Sequence, residues 1–294
     1  MPAAVRLSAK RAKQLRLQFD QLSADFAPGV DPIDMVHRYT HPEDQEVAAL
    51  FASALAFGRV ASFMPVLETI FSLADNAGGP AAWVDRCAST PDPELNPVFY
   101  RWVRGTDLAR FAATIGRFRR RHGSFAEWVR INFPYPPNTL LPVLSQLITE
   151  MRECSVEHTD ESFAELSRGF KHLLPHPSSG SACKRWCMLS RWMIRQDSPD
   201  LGLWPMKPQA LIIPLDTHVH RISRMVGLTR RTDGSWRTAA EITSNLKRID
   251  PDDPVRFDFV LAHLGIDGRC KGRKIDEICN ECMLLPVCNT GRVG

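Results

Sequence analysis

The sequence of 294 residues predicts an all-α fold, and three observations support this prediction. Apolar residues recur at helical spacing along most of the chain, which indicates amphipathic helices. Alternating apolar and polar runs, which are typical of strands, are scarce. Joints such as NAGGP, FPYPPN and LPHPSSG separate the periodic segments, because Pro and Gly interrupt regular structure. We therefore expect about ten or more short helices packed in layers.

The first half of the chain contains the most regular patterns. In DQEVAALFASALAFGR, Gly58 is expected to end a helix whose apolar face consists of Val47, Leu50, Phe51, Ala54 and Phe57. In SFMPVLETIFSL the periodicity resumes, and Pro65 is expected in the first turn, where its missing N–H costs little. LARFAATIGRFRRR and LLPVLSQLITEMREC predict two further helices.

The second half adds two helices that carry candidate site residues. HPSSGSACKRWCMLSRWMIR predicts a helix with one apolar stripe (Ala182, Trp186, Leu189 and Met193) and an opposite face outside that stripe (Lys184, Met188, Arg191 and Arg195). After the Pro-bearing stretch 198–214, LDTHVHRISRMVGL predicts a helix that Gly227 ends.

Composition excludes several classes of protein. The chain is 44% hydrophobic and 24% charged, which is ordinary for a globular protein with its own core. The basic N-terminus lacks the apolar run of a signal peptide, and no later stretch is apolar enough to span a membrane. We therefore expect a cytoplasmic protein without a membrane partner, in which disulfides are rare. The net charge of +4 permits a nucleic-acid partner without requiring one.

Four of the eight cysteines lie in CKGRKIDEICNECMLLPVC, near the end of the chain. Cys270, Cys279, Cys282 and Cys288 have the spacing C-x8-C-x2-C-x5-C. Disulfides, a zinc site and an iron–sulfur cluster are the alternatives. Structural zinc sites usually show two C-x2-C pairs, whereas this loop has one, and four thiolates without histidine suit both metals. The asymmetric spacing favours a [4Fe–4S] cluster, with zinc as the alternative.

The other cysteines are expected to behave as small apolar residues: Cys87, Cys154, Cys183 and Cys187. Cys183 and Cys187 are four residues apart on a predicted helix, but no nearby pair completes a second metal site.

A terminal cluster loop on an all-helical chain resembles the endonuclease III-like, iron–sulfur branch of the helix-hairpin-helix DNA glycosylases. Members of that family use C-x6-C-x2-C-x5-C, so this chain has two extra residues in the first loop. The chain as a whole resembles an uncharacterised bacterial family related to these glycosylases. The resemblance implies a two-lobed fold, with residues 46–198 as a helical-barrel domain that ends in the hairpin. Residues 1–45 and 199–294 would then form a second helical domain with the cluster loop.

Two further stretches support the resemblance. The family carries V-D-T-H-V-x-R with a catalytic aspartate, and Asp216 stands at that position here. The alternative is that Asp216 only caps a helix. The family hairpin L-P-G-V-G-x-K-T-A is matched weakly by Gly180, Ser181, Ala182 and Lys184, where backbone N–H groups would bind a DNA phosphate. The resemblance makes Lys184 a candidate nucleophile, and the alternative is a solvated lysine.

The remaining site expectations concern DNA contact. Leu55 stands where relatives place a residue that fills the gap of a flipped base, although it also fits a core position. Lys271, Arg273 and Lys274, within the cluster loop, are expected to contact the DNA backbone.

The resemblance implies a DNA repair glycosylase that acts on double-stranded DNA containing a damaged base. The enzyme would be a nucleoid-associated monomer, and it would also cleave the strand if Lys184 forms a Schiff base. A non-catalytic iron–sulfur DNA-binding protein on the same scaffold is the alternative. A zinc-bearing helical module with protein partners becomes relevant only if the cluster assignment fails.

Overall fold

The computed structural model describes residues 4–24 and 31–291, and most of these residues are helical. The α-helices in chain order are α1 (Ala9–Ala24), α2 (Ile33–Val36), α3 (Pro42–Leu55), α4 (Val60–Asn76), α5 (Pro80–Cys87), α6 (Gly105–His122), α7 (Phe125–Asn132), α8 (Leu141–Val156), α9 (Arg168–Leu173), α10 (Lys184–Ile194), α11 (Thr217–Met225), α12 (Trp236–Ile249), α13 (Asp258–Ile266) and α14 (Asp276–Cys279). Two short strands, β1 (Phe99–Tyr100) and β2 (Val103–Arg104), form an antiparallel hairpin. The prediction of an all-α fold is confirmed.

The chain divides into two compact units. The first unit contains the described residues within Met1–Pro28, Gly180–Met188 and Lys207–Gly294, and the second contains those within Gly29–Ser179 and Leu189–Met206. Residues 31–45 thus belong with the helices that follow them and not, as the sequence predicted, with the C-terminal part. Gly180–Met188 belongs to the first unit because the turn before α10 pairs there with the start of α12. A backbone bridge between Ser181 and Ser235 forms this pairing.

The second unit is built around α6. Gly116 in this helix lies directly against the end of α5, where an added Cβ would sit 1.9 Å from the carbonyl oxygen of Val84. Such close packing of two backbones requires glycine. Large side chains complete the core, and the fully buried ones include Trp83, Phe111 and Trp128.

The early helices match their predicted faces with two differences. Phe63, Leu67, Ile70 and Phe71 are buried on α4, as predicted. However, α4 begins at Val60, so Pro65 lies inside the helix instead of in its first turn. Helix α3 already ends at Leu55, so Phe57 lies beyond the helix end.

The face of α10 opposite to the predicted apolar stripe is also covered, which corrects the sequence-based assignment. Arg191 is buried, and its Nε lies 3.3 Å from a carboxylate oxygen of Asp200. Residues after the helix fold back over it: the N–H groups of Leu201 and Trp204 donate to the carbonyl oxygens of Trp192 and Met193, both at 2.7 Å. Periodicity missed this because a segment without regular structure supplies the cover.

In the first unit, α11 packs closely on α13. Gly265 of α13 makes the approach possible, since an added Cβ would lie 2.4 Å from Nδ1 of His218. Helix α11 ends at Met225, and Gly227 follows with φ +81°, which confirms the predicted stop. Helix α1 packs on α12, and Leu15 and Phe19 are the fully buried residues of its inner face.

Candidate metal centre

The four C-terminal cysteines line one cavity in the first unit. Cys270 follows α13, Cys279 ends α14, and Cys282 and Cys288 lie in the turns beyond. Apolar side chains from α11, the residue after it, α13 and the loop form much of the wall: Ile222, Met225, Val226, Leu264, Ile275, Ile278, Leu284 and Leu285. The sequence spacing therefore brings all four thiols to one place, although Cys270 and Cys288 are far apart in the loop.

Backbone hydrogen bonds position these cysteines. The N–H of Cys270 donates to the carbonyl of Leu264 at 2.8 Å, and this bond attaches the start of the loop to the end of α13. The N–H of Cys279 donates to Ile275 at 2.7 Å, and the N–H of Asn289 donates to Met225 of α11 at 2.7 Å. The loop is thus attached to α11 and α13 on both sides of the cavity.

Backbone N–H groups also point at the sulfur atoms. Ile275 N lies 3.4 Å from Cys279 Sγ, and Gly291 N lies 3.2 Å from Cys288 Sγ. Burial raises the pKa of the Cys282 thiol, the N–H of Leu284 opposes this shift, and the other three cysteines add to it. N–H donors to sulfur stabilise thiolates and tune metal centres, so this surrounding suits metal-bound sulfur.

The loop separates its charges along the sequence. Arg269, Lys271 and Arg273 line the cavity of the cysteines, and Lys274 follows with its Nζ 3.6 Å from a carboxylate oxygen of Asp276. Acidic residues occupy the next part of the loop: Asp276, Glu277 and Glu281. Positive side chains therefore lie beside the cavity, where four thiolates would concentrate negative charge.

The four thiols line the same cavity. Among residues 4–24 and 31–291, no three His, Cys, Asp or Glu side chains lie close enough together to hold a single metal ion. The candidate donor set is therefore these four cysteines, which apolar side chains surround.

Asp216 is the N-cap of α11. Its Oδ1 accepts hydrogen bonds from the N–H groups of His218 and Val219 at 2.8 and 2.7 Å, which satisfies two free donors of the helix. Its other oxygen, Oδ2, accepts no hydrogen bond from any residue that the structure describes. Asp216 is thus a half-buried carboxylate with one oxygen engaged in capping.

The rest of the D-T-H-V-x-R stretch has structural contacts of its own. Val219 is fully buried, and His218 packs against Gly265. Arg221 donates from Nη2 to the carbonyl of Cys270 at 3.0 Å, and its side chain lies against Gly272, which has φ +79°. The stretch therefore supports the cysteine loop, and Arg221 is a site residue that the sequence analysis did not select.

The hairpin turn adopts part of the expected geometry. Gly180 is exposed with φ +81°, and its carbonyl accepts from Trp236 N at 3.1 Å. Ala182 is buried, and Lys184 begins α10, with its Nζ 3.3 Å from Met188 Sδ. Binding of phosphate by Gly180, Ser181 and Ala182 stays a prediction.

Leu55 lies in the second unit and is fully buried at the end of α3. Its side chain has no access to DNA in this structure, so the core interpretation replaces the suggested wedge. By contrast, Arg269 was overlooked, although the run RCKGRK around Cys270 could have identified it.

Within the described part of the chain, no helix has the length and apolar character needed to cross a membrane.

Comparison with known proteins corrects the expected family. A family model described as "Protein of unknown function (DUF2400)" matches residues 31–267, and nothing indicates membership of the helix-hairpin-helix glycosylases. The match ends before Cys270, so it does not include the cysteine loop. No curated protein and no solved structure matches the chain significantly. Because the matched segment covers most of its length, the chain belongs to the DUF2400 family.

Proposed function

We propose that this protein binds DNA and carries a [4Fe–4S] cluster on Cys270, Cys279, Cys282 and Cys288. The observation that carries the proposal is the single cavity lined by all four thiols, with basic side chains on the same wall.

The donor set fits a cluster better than a single ion. A zinc ion binds four thiolates at about 2.3 Å each, so their sulfur atoms must meet within roughly 4 Å of one another. In a cubane each thiolate binds a different iron, and the ligands surround a larger object. The asymmetric spacing C-x8-C-x2-C-x5-C, which has one C-x2-C pair instead of two, supports the second arrangement.

The surroundings offset the charge of such a group. Backbone N–H groups point at Cys279 and Cys288, and Arg269, Lys271 and Arg273 lie along the wall. When bound, a cluster would supply either electron transfer or a cross-link that joins the loop to α11 and α13. The residues of this chain would hold it, shield it with apolar side chains and balance its charge.

Metal analysis of protein purified without air tests the first half of the proposal. We expect about four iron atoms per chain and broad visible absorbance from sulfide-to-iron charge transfer. One zinc ion per chain without iron would overturn the cluster and favour the zinc module.

The DNA half of the proposal rests on the exposed cations of the loop. Lys271, Arg273 and Lys274 are all exposed, and they precede the acidic part of the loop. Phosphate contact is therefore expected on this basic side, because the acidic side would repel DNA.

A charge-removal variant measures this contact. Replacing Lys271, Arg273 and Lys274 with Gln should weaken duplex binding for all sequences alike. It should also reduce the slope of log K against log salt by roughly 2 to 3, since each phosphate contact contributes about 0.9. Arg6, Lys10 and Lys13, exposed at the start of the first unit, provide a control with the same change of charge.

Iron content separates the two roles of these cations. If the loop variant keeps its iron and loses affinity, the cations bind DNA. If it loses iron while the control variant does not, they serve the cluster. Unchanged affinity would remove the loop from the DNA interface.

A second candidate function is excision of a damaged base, and the uncapped oxygen Oδ2 of Asp216 favours it. A carboxylate with one anchored oxygen could stabilise the positive charge that develops on the sugar as the base leaves. Lys184, in the first turn of α10, is the candidate nucleophile for strand cleavage.

Oligonucleotides with single defined lesions test this activity. Asp216→Asn should abolish base release while DNA binding persists, since removing one such electrostatic contact costs about a hundredfold or more in rate. Borohydride should trap a covalent adduct that Lys184→Gln loses. Base release without an adduct would leave Lys184 without a catalytic role, and full activity of Asp216→Asn would leave Asp216 as a cap.

A further inference from the structure

The β-hairpin of the second unit presents aromatic side chains at the surface. Phe99 is 72% exposed and Trp102, in the turn between β1 and β2, is 40% exposed. Most large apolar side chains of this unit are buried, so two exposed aromatic residues on one short hairpin form an unusual surface.

Trp102 belongs to a ring cluster, which we call the aromatic platform: Phe57, Tyr100, Trp102 and His172. The centroid of Phe57 lies 4.8 Å from Tyr100, 5.2 Å from Trp102 and 4.7 Å from His172. Trp102 and His172 are 5.1 Å apart. These separations are those of interacting rings, which hold the exposed indole against partners that are themselves partly buried.

The backbone around the platform is tightly constrained. Gly58 has φ +88°, and a Cβ there would lie 2.6 Å from the Tyr100 hydroxyl oxygen. That hydroxyl donates to the carbonyl of Phe57, and Arg101 in the hairpin turn has φ +56°. A non-glycine residue with positive φ is uncommon and costs free energy, so the turn is held in place by its surroundings. The platform is therefore preorganised.

The exposed charge of the platform is positive. The carboxylate of Asp107 lies against Gly169 in one of its segments but is buried. The three segments that build the platform, FGRV (57–60), FYRWVRG (99–105) and RGFKH (168–172), contain five cations and no carboxylate. The guanidinium of Arg101 lies 5.7 Å from the Trp102 centroid and 5.9 Å from that of Phe57, and Arg168 lies 5.8 Å from Trp102. Arg59 and Arg104 are also exposed.

We infer that the aromatic platform binds unpaired bases of single-stranded DNA, with Trp102 stacking on a base and the surrounding arginines contacting phosphates. Aromatic faces interleaved with arginine are the combination that single-strand binding proteins use, because every base has a face to stack and every link carries a negative charge. This surface lies in the second unit and does not depend on the cysteine loop or on a cluster.

The charge pattern selects nucleic acid over a protein partner. A protein surface would have to supply acidic groups at several positions around an aromatic contact, whereas a single strand supplies a phosphate beside every base. A protein partner is the outcome that remains if no oligonucleotide binds here.

Two oligonucleotides and two variants test the inference. The probes are a fluorescent single strand of mixed sequence and a strand of the same length in which all bases are absent. Trp102→Ala should reduce affinity for the first probe by about fivefold to a hundredfold, because stacking contributes roughly 1 to 3 kcal/mol per base. The parent protein should bind the abasic strand more weakly, and Trp102→Ala should not weaken that binding further.

Tyr135→Ala is the matched control, since Tyr135 is 91% exposed in the same unit. Its affinity for both probes should equal that of the parent. Arg101→Glu is a second platform variant. It should weaken binding of both strands, because the new carboxylate repels phosphates that both strands carry.

The inference fails if Trp102→Ala and Arg101→Glu, both with the circular dichroism spectrum of the parent, bind the mixed strand as the parent does. It also fails if the parent binds the abasic strand with the same affinity as the mixed strand. Neither result bears on the cysteine loop, because the loop variant is read out on duplex DNA and iron content.

Discussion

The eight cysteines of this chain form two groups with different surroundings. Cys270, Cys279, Cys282 and Cys288 share one cavity with basic side chains, and three of the four are only partly buried. The other group is buried in the helical interior: Cys87, Cys154, Cys183 and Cys187. Burial raises the pKa of Cys87 and of Cys154 to about 11, and that of Cys187 well above its ordinary value.

The difference shows that surroundings decide what a thiol can do. An interior thiol behaves as a small apolar group, because its charged form is disfavoured by burial. A thiol beside N–H donors and guanidinium groups is better suited to bind metal as thiolate. The first group therefore carries the proposed chemistry, and the second carries packing.

Removal of one loop cysteine should have the largest effect. Cys282→Ser should lose nearly all bound iron and destabilise the protein by more than about 3 kcal/mol, since metal-binding free energy is coupled to folding. Iron analysis and urea unfolding measure both. Cys154→Ala, in the other group, should keep full iron content at a cost of about 1 kcal/mol. Equal iron in the two variants would end the distinction between the groups.

Thiol accessibility should also differ between the loop cysteines and the interior cysteines. After removal of metal by a chelator under native conditions, iodoacetamide should label Cys270, Cys279 and Cys282, which are partly exposed. It should leave Cys288 and the interior four unmodified, because those five are buried. Peptide mass spectrometry identifies the labelled positions. Labelling should fall sharply in the metal-loaded protein, and equal labelling with and without metal would show that the loop thiols bind nothing.

The sequence predicted the helices and the cysteine group for physical reasons. Helical periodicity reports which face is buried, as on α4, and close cysteine spacing limits where the thiols can go. It could not show that residues 200–204 cover α10, because irregular segments leave no periodic signal. The platform of Phe57, Trp102 and His172 joins segments more than 40 residues apart, so only the folded chain brings the rings together.

Structural contacts account for part of the motif around Asp216. Its residues match a catalytic pattern, yet Val219 and Arg221 have evident structural contacts, and the family match is to DUF2400. At the start of α11, one residue caps the helix, one packs in the core and one supports the cysteine loop. These structural roles can require the same residue types as a catalytic site.

Glu46 extends the comparison from thiols to carboxyls, since it is another ionisable group of the helical interior. Its oxygens accept from Phe125 N, Ala126 N and Trp204 Nε1 at 2.8 to 3.0 Å, but burial outweighs these bonds and raises its pKa to about 7. Between the ordinary value of 4.5 and about 7, the folded state keeps a proton that the unfolded chain has lost.

Stability should therefore fall as pH rises through that window, by about 3 kcal/mol from this group, and then level off. Urea unfolding at pH values from about 5 to 8 measures the slope. The slope of the unfolding free energy against pH reports how many more protons the folded state binds than the unfolded chain. Glu46→Gln should lower that number by close to one, whereas Asp160→Asn, an exposed control, should leave the slope unchanged. An unaltered slope in Glu46→Gln would assign the pH dependence to other groups.

The smallest effect is expected at Asp216, and it tests how firmly α11 supports the cysteine cavity. Asp216→Ala removes the acceptor for two N–H groups, and should destabilise the protein by about 1 kcal/mol. Asp216→Asn keeps an oxygen in the same place, so its unfolding free energy should stay within about 0.5 kcal/mol of the parent. Iron content should be unchanged in both, because α11 contributes Ile222 and Met225 to the wall but no sulfur ligand of the proposed set. Loss of iron in Asp216→Ala alone would mean that the cap fixes the geometry of the cavity. Equal destabilisation of the Ala and Asn variants would show that the negative charge at the helix start contributes more than the hydrogen bonds do.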